Sequence, residues 1–204
     1  MRSEAWSPLL REPLRTLRMP LETNRLILRP WRESDAEECY KYAKDPRIGP
    51  MCGWSIHTSI EDSRRIIREV LSVPETYAVV LKESKLPIGS IGLHRRDLAE
   101  RDDEAELGYW IGVPYWGRGF ASEAAFELLR HAFEDLDLRC VWCGYYAGNE
   151  RSKRISEKLG FRYRRTIENV FVPQMSETRK EYAGCLTKEE WLSVQQRSAL
   201  YDRS

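Results

Sequence analysis

The stretch that decides the fold of this 204-residue chain reads Gly112-Val-Pro-Tyr-Trp-Gly117-Arg-Gly119-Phe-Ala-Ser122. It runs from the end of a predicted strand, through a glycine-rich turn, into the start of a predicted helix. A helix N-terminus presents unpaired backbone amides and the positive end of the helix dipole, and glycine lets a phosphate approach without a Cβ atom in the way. The stretch therefore predicts an anion-binding turn, against the alternative of a plain strand–turn–helix connection.

Two common phosphate motifs do not fit this turn. Gly112 and Gly117 have the spacing of a nucleoside-triphosphate P-loop, but Arg-Gly follows where that loop has Lys-Ser or Lys-Thr. The run from Gly117 to Ser122 lacks the third glycine of the dinucleotide fingerprint. The anion is therefore expected to belong to another phosphate-bearing ligand.

Hydrophobic periodicity predicts the elements around the turn. After it, apolar residues from Ala121 to Phe133 recur at helical intervals. Before it, residues 105–111 alternate, which predicts a strand with Leu107 and Ile111 on one face and Glu106 on the other. By the same reasoning we expect strands at 25–29, 77–81, 87–93, 139–146, 161–171 and 177–185, and helices at 34–44, 58–71, 149–159 and 187–194.

Capping signals support the helix assignments. Ser34-Asp-Ala-Glu37 and Thr187-Lys-Glu-Glu190 have the capping-box spacing, and Asn149 is a good N-cap residue. The element order predicts one α/β (α+β) domain over residues 21–204, which mixes hairpins with parallel crossovers. Residues 1–20, rich in proline and arginine, are expected to form an N-terminal arm.

Composition excludes several classes of function. The chain has 33 Lys+Arg and 32 Asp+Glu, so its net charge of +1 gives no global attraction to nucleic acid or to an anionic membrane. No segment has the roughly 18 apolar residues of a membrane span, and no secretory leader is evident, so a cytoplasmic location is expected. Three histidines without ligand spacing predict no metal site.

The five cysteines are odd in number and scattered along the chain. They do not form the pattern of a disulfide framework. Cys140 and Cys143 form a C-x-x-C, but on a strand these two positions point to opposite faces. We therefore expect the cysteines to be structural.

Residues 109–124 resemble the acetyl-CoA segment of the GNAT acetyltransferases, within the branch that contains the ribosomal-protein N-terminal acetyltransferases (RimJ/RimL-like). The family loop is Gln/Arg-x-x-Gly-x-Gly/Ala, and Trp116 to Ala121 match it with Trp in the first place, a replacement common in that branch. Further similarity at 23–30, 34–36, 149–152 and 158–161 extends the resemblance over about residues 22 to 192.

The resemblance implies a mixed, mostly antiparallel central sheet that splays apart between the fourth and fifth predicted strands, with helices on both faces. It implies acetyl-CoA as the cofactor, with no metal. The pyrophosphate would lie on backbone amides of Arg118 to Ser122, and Ile111 to Val113 would pair with the pantetheine arm, with Gly112 in a bulge whose freed amide polarises the thioester carbonyl. The implied cofactor-binding residues are Ile111, Gly112, Val113, Trp116, Gly117, Arg118, Gly119, Phe120, Ala121, Ser122, Asn149 and Ser152.

Three residues are candidates for proton transfer. The related branch uses a serine after the Asn to protonate the leaving thiolate, and Ser152 matches that position; the alternative is a merely polar first-turn residue. Glu106 is the first candidate for a general base, because it lies shortly before the splay. Glu168 is the second, because the branch carries a carboxylate in this late strand region. Either carboxylate could instead be an ordinary solvated or ion-paired group.

The acceptor is expected to be a primary amine of a protein N-terminus, a polyamine or an aminoglycoside. Its groove would be built by the first two helices and the late strands, where Trp31, Met51, Trp54 and Phe171 either line it or belong to the core. Neither nucleic acid nor membrane is an expected partner; a homodimer is left open. A non-catalytic acetyl-CoA-binding module is the main alternative, since no Gly-x-Ser-x-Gly elbow or paired Cys and His supports a covalent enzyme.

Overall fold

An eight-stranded sheet forms the centre of the molecule in the computed structural model, which describes residues 20–95 and 98–201. The strands are β1 (Leu21–Glu22), β2 (Leu26–Arg29), β3 (Thr76–Leu81), β4 (Pro87–His94), β5 (Glu104–Ile111), β6 (Cys140–Tyr146), β7 (Arg162–Val172) and β8 (Glu177–Thr187). Their order across the sheet is β1-β2-β3-β4-β5-β6-β8-β7. The predicted N-terminal arm lies outside the described residues, apart from Pro20.

Six α-helices accompany the sheet in the described part of the chain. They are α1 (Ala36–Ala43), α2 (Gly49–Cys52), α3 (Ile60–Ile66), α4 (Phe120–Arg130), α5 (Glu150–Lys158) and α6 (Lys188–Tyr201). Turns of π-type geometry at Ile67–Leu71 and His131–Asp135 extend α3 and α4. Two elements were not predicted, the two-residue β1 and the one-turn α2, and both are too short to show a period.

The predicted splay is present and falls between β5 and β6, the fourth and fifth predicted strands once the short β1 is set aside. These two strands run parallel and pair only at Glu104 with Cys140, Ala105 with Val141 and Glu106 with Trp142. β5 continues to Ile111 and β6 to Tyr146 without further pairing between them. All the other neighbouring strands among the described residues are antiparallel.

Helices cover both faces of the sheet, as the resemblance implied. On one face, α4 buries its apolar stripe against β4 and β5, and Trp191 of α6 packs on Phe133 with ring centroids 5.7 Å apart. On the other face, Trp31 and the buried residues of α1 pack against Ala78 and Val80 of β3. Burial of each such large apolar side chain contributes roughly 1.5 to 3 kcal/mol.

Two of the three predicted helix caps are confirmed. The side chain of Asn149 accepts a hydrogen bond from the amide of Ser152, and Thr187 and Glu190 exchange side-chain to backbone bonds of 3.0 and 3.3 Å. The capping box predicted at Ser34 is wrong, because a 3₁₀ turn at Glu33–Asp35 precedes α1 and places Ser34 inside it. The side chain of Asp35 accepts from the amide of Arg32 at 3.0 Å and so caps the 3₁₀ turn rather than α1.

The expectation that the cysteines form no disulfide needs one correction. The sulfur atoms of Cys140 and Cys185 are bonded across β6 and β8. Sequence spacing gave no sign of this pair because the two residues are 45 positions apart and meet only through the sheet. Cys39, Cys52 and Cys143 lie outside this bond and keep their thiol groups.

A histidine joins the end of α4 to the loop before β3. His131 contacts Glu75 through Nε2 at 3.0 Å and Asp135 through Nδ1 at 2.7 Å. Burial opposes a charge on this ring, but hydrogen bonds to the two carboxylates outweigh it and raise the pKa of His131. The imidazolium therefore holds α4 to the sheet.

We expect this bridge to weaken at alkaline pH. A histidine whose pKa is raised on folding stabilises fully below its unfolded value of about 6.5 and loses that contribution as the pH rises through its folded value. The free energy of unfolding of the wild type should exceed that of His131→Asn by about 1 kcal/mol near pH 6, and the gap should narrow towards about pH 9. Urea titrations at both pH values measure it; a gap independent of pH would contradict this account.

Candidate active site

A cleft of about 630 Å³ opens where β5 and β6 part. One wall is the C-terminal half of β5 with the turn before α4, the other is the start of α5, and α2 closes one end. Of the twelve residues predicted to bind a cofactor, nine line it: Ile111, Trp116, Gly117, Gly119, Phe120, Ala121, Ser122, Asn149 and Ser152, the last of which was also predicted to be catalytic.

The glycine turn leads into α4 with a left-handed backbone. Gly117 and Gly119 have φ values of 73° and 81°, which glycine adopts without the strain that a Cβ atom would add. Within the described residues, the backbone amides of residues 117–122 donate to no protein acceptor, whereas Glu123 already bonds to the carbonyl of Gly119 at 3.0 Å. These amides lie at the positive end of an eleven-residue helix, a position that favours a negatively charged group.

The glycine turn is held in place by residues that lie about a hundred positions earlier in the chain. Glu123, in the first turn of α4, accepts hydrogen bonds from Thr23 Oγ1 at 2.6 Å and from Arg25 Nε at 2.7 Å. Burial of Glu123 opposes its charge, but these bonds outweigh it and lower its pKa. Arg25 also donates to the carbonyl of Arg118 at 3.1 Å and lies 4.3 Å from the centre of the Phe120 ring.

Trp116 connects the turn to the end of β5. Its indole Nε1 donates to the carbonyl of Ile111 at 2.7 Å, and the Arg151 guanidinium lies 4.1 Å from the centre of a Trp116 ring. This bond gives a physical reason for tryptophan at the first position of the loop motif. A tryptophan there joins the two elements that border the cleft.

The predicted bulge at Gly112 is wrong. The pairing of β4 with β5 is regular up to Ile111, and the amide of Gly112 donates to the carbonyl of Ile88 at 2.8 Å. A Cβ atom at Gly112 would lie 2.7 Å from the ring of Tyr42, so glycine serves close packing here. Its amide is therefore not free to polarise a carbonyl. Because ladder bonds alternate along a strand, the backbone of Tyr109 and Ile111 faces the gap instead.

Three other predicted residues lie beside the cleft and do not line it. Val113 belongs to a 3₁₀ turn at Val113–Tyr115 and accepts from the amide of Trp116. The guanidinium of Arg118 stands 5.0 Å from the centre of the Phe120 ring. Gly112 lies behind them, so their contribution is to shape the turn.

Glu106 is at the point where the strands separate. It pairs with Trp142 in the last rung of the β5–β6 ladder and with His94 on the β4 side. The residue is half-buried, does not line the cleft, and its charge helps burial to raise the pKa of the Cys143 thiol. This position, immediately next to the divergence, agrees with the position inferred from the sequence.

Glu168 lies elsewhere. It is on β7, at one edge of the sheet, where the register with β8 shifts between Ile167 and Val170. Its side chain is 58% exposed and forms an ion pair with Lys180 at 2.9 Å. The structure does not bring Glu168 to the cleft.

The four residues considered for the acceptor groove differ in whether they line the cleft. Met51 lines the cleft, whereas Phe171 is 62% exposed and outside the lining. Trp31 is buried and donates to Ser90 Oγ at 3.0 Å, and Trp54 packs against the same cluster. Trp31 therefore belongs to the core, and Trp54 packs against the core.

Sequence reasoning missed several lining residues. Tyr109 lies on the same strand as Leu107 and Ile111 and also lines the cleft. Arg47, Ile48 and Cys52 line it through the unpredicted α2. Pro50, in the first turn of α2, was the one local signal that could have indicated this helix.

Comparison with known proteins identifies the family. The family model described as acetyltransferase (GNAT) domain matches residues 25–162. The chain is 31% identical over 146 residues to an uncharacterized N-acetyltransferase, YoaA, of Bacillus subtilis, which covers 69% of this chain and 81% of that protein.

Solved structures agree on the fold. A GNAT-family acetyltransferase from Bacillus anthracis superposes with a TM-score of 0.75, covering 84% of this chain and all of that one at 24% identity. A ribosomal-protein-S5-alanine acetyltransferase from Vibrio fischeri gives a TM-score of 0.65, covering 85% of this chain and 99% of that one at 17% identity. At these identities the likeness shows the fold alone.

The similarity to an N-acetyltransferase over 69% of this chain places it in the class of acyltransferases. With the family match over residues 25–162, the chain belongs to the GNAT acetyltransferases.

No helix among residues 20–95 and 98–201 has the length and apolar character needed to cross a bilayer. The same residues contain no group of three or more His, Cys, Asp or Glu arranged to hold a metal ion.

We expect Gly112→Ala to destabilise the protein by about 1 to 3 kcal/mol, because the added methyl group must displace the ring of Tyr42. Thermal unfolding measures the loss. In a Tyr42→Leu background, where the ring is absent, the same substitution should destabilise much less. Equal losses in both backgrounds would show that the contact with Tyr42 is not the reason for glycine at this position.

Proposed function

We propose that this chain transfers an acetyl group from acetyl-coenzyme A to a primary amine, by direct attack of the amine in a ternary complex. The observation that carries the proposal is the row of free amides at residues 117–122, at the N-terminus of α4 and on the wall of the cleft. Backbone amides converging at a helix N-terminus favour a phosphate group. A diphosphate fits this site without rearrangement of protein hydrogen bonds.

The rest of the cleft suits the remainder of coenzyme A. The backbone of Tyr109 and Ile111 faces the gap between the strands, where amides of an extended ligand arm can pair with a strand edge. Arg151 and Arg154 line the same cleft and add positive charge near the turn. Acetyl-coenzyme A supplies the acetyl group as an activated thioester.

Asn149 and Ser152 are proposed to serve the reacting end. Asn149 lines the cleft and fixes the start of α5 by accepting from the amide of Ser152 at 3.2 Å. The hydroxyl of Ser152 is thereby held at the cleft wall, where it can donate a hydrogen bond to the departing sulfur. Such a donor stabilises negative charge that develops only as the bond breaks.

Glu106 is the favoured general base. A terminal α-amine with a pKa near ~8 is roughly a tenth neutral at pH 7, whereas a lysine-type amine near ~10.4 is neutral about four times in ten thousand. A base is therefore needed most for lysine-type and polyamine acceptors. Glu106 at the divergence of the strands can take the proton through water, whereas the exposed, ion-paired Glu168 is the weaker candidate.

A non-catalytic acetyl-CoA-binding module is the second candidate. It needs the same free amides but no group at the reacting end. The position of Ser152 on the cleft wall favours the enzyme. The two candidates differ in a direct assay, because a binding module is stabilised by coenzyme A but releases no thiol when an amine is added.

The primary test measures release of free thiol from acetyl-CoA across a panel of amines: peptides with varied N-termini, including alanine, polyamines and aminoglycosides. We expect activity with at least one class of acceptor, and a loss of about 100-fold in kcat for Ser152→Ala with unchanged affinity for coenzyme A. Acetylated product should match released thiol. Binding of coenzyme A without thiol release across the panel would favour the binding module.

A second test separates the two carboxylates. With a lysine-type or polyamine acceptor at pH 7, Glu106→Gln should lower kcat by about 100-fold, and raising the pH to about 9 should recover part of the loss because more amine is already neutral. Glu168→Gln should have the smaller effect. The reverse ranking would assign the base to Glu168.

A third test concerns the loop tryptophan. Trp116→Phe keeps an aromatic ring but loses the 2.7 Å bond to the carbonyl of Ile111, so the turn should become less well ordered. We expect the dissociation constant for coenzyme A to rise about tenfold, a net hydrogen-bond effect. Calorimetric titration measures it. An unchanged constant would mean that this bond does not organise the cleft.

A further inference from the structure

Tyr109 has a buried hydroxyl that forms no hydrogen bond in the structure. Its ring lines the cleft from β5, while its oxygen is shielded from solvent and has no hydrogen-bond partner among the described residues. A buried polar group without a partner destabilises a fold, and phenylalanine would fill the same space without that loss. A tyrosine at this position is therefore better explained by a function of its hydroxyl than by packing.

Ser152 is the polar side chain that faces this hydroxyl. Burial, aided by the neighbouring thiol of Cys143, raises the pKa of Tyr109, and the hydroxyl of Ser152 acts in the opposite direction. The phenol therefore keeps its proton throughout the neutral range and remains a donor. Asn149 fixes the backbone of Ser152 and leaves its side chain able to rotate towards Tyr109.

We infer that Tyr109 is a positioning residue for Ser152: its hydroxyl donates to Ser152 Oγ, which turns the proton of Ser152 towards the sulfur atom of the bound thioester. This inference rests on the proposed function and adds to it a residue outside the motif. In this arrangement Tyr109 acts through Ser152 and does not touch the reacting atoms, because its own oxygen is closed to solvent.

The proton balance needs no transfer from Tyr109. In the overall reaction a C–N bond forms and a C–S bond breaks, with the electron pair going to sulfur; the amine loses one proton to base or water, and the released thiol gains one. Tyr109 keeps its proton throughout. Its hydrogen bond polarises the Ser152 hydroxyl and makes it a stronger donor, as in other chains of linked hydroxyl groups.

The first arm of the test is Tyr109→Phe. We expect thermal stability equal to or above that of the wild type, a KM for acetyl-CoA within about twofold, and a kcat lower by about tenfold. A purely structural tyrosine predicts the opposite combination, an unchanged kcat with altered stability. Full kcat in Tyr109→Phe would overturn the inference.

The second arm is a double-mutant cycle with Ser152→Ala. Because Tyr109 acts through Ser152, the double variant should be no slower than Ser152→Ala alone. Multiplied losses would show that Tyr109 acts by another route and would overturn the inference. Tyr77→Phe, which removes a remote hydroxyl bonded to Glu75, is the matched control and should leave kcat unchanged.

The third arm measures the binding of coenzyme A and requires no turnover. Coenzyme A carries a free thiol with a pKa near ~8.5, so a donor aimed at sulfur favours its thiolate and makes binding tighter as the pH rises from about 7 to 9. We expect this gain in calorimetric titrations of the wild type, a smaller gain in Tyr109→Phe, and the smallest in Ser152→Ala and the double variant. Identical pH profiles in all four proteins would overturn the inference.

The arms also separate this inference from the proposed function. A wild type that releases no thiol with any amine would overturn the proposed function, and the role of Tyr109 with it. An active wild type whose Tyr109→Phe variant is equally active would overturn the role of Tyr109 alone.

Discussion

The separation of β5 from β6 is the constraint on which the rest of the site depends. The two parallel strands share three rungs and then part, which turns an interior strand of the sheet into one with an open edge. The backbone groups of Tyr109 and Ile111 on that edge must find partners outside the sheet. The cleft, the start of α4 and the start of α5 are all arranged around this gap. The cleft therefore exists because pairing between these two strands stops early.

The glycine turn before α4 is fixed through the carboxylate of Glu123, which lies in the first turn of that helix. Glu123 is bound by Thr23 and Arg25, so the opening segment of the domain fixes the first turn of α4. Thr23-Asn-Arg25 belongs to the opening stretch that resembles the family. Its similarity there has a physical basis in this contact, since Arg25 also holds the carbonyl of Arg118 and leaves the amides of the turn pointing outward. Preorganisation of this kind lowers the entropic loss on binding.

The sequence predicted those features whose causes are local. The stripe of α4, the β3–β4 hairpin and the caps at Asn149 and Thr187 follow from patterns within one or two turns of chain. Features fixed by distant packing were missed or misassigned. Gly112 is glycine because of Tyr42, 70 positions away, and Ser34 lies inside a 3₁₀ turn that delays the start of α1. The bond from Cys140 to Cys185 and the exposure of Glu168 likewise follow from how β7 and β8 join the sheet.

Trp116 decides which hydrogen-bonding group of Ile111 remains available at the open edge of β5. The carbonyl of Ile111 already accepts from the indole of Trp116, whereas the amide of the same residue faces the gap. At this position the strand therefore offers mainly a donor, and a ligand group beside it should present an oxygen. A single indole thus sets which kind of atom a ligand can place against this end of β5.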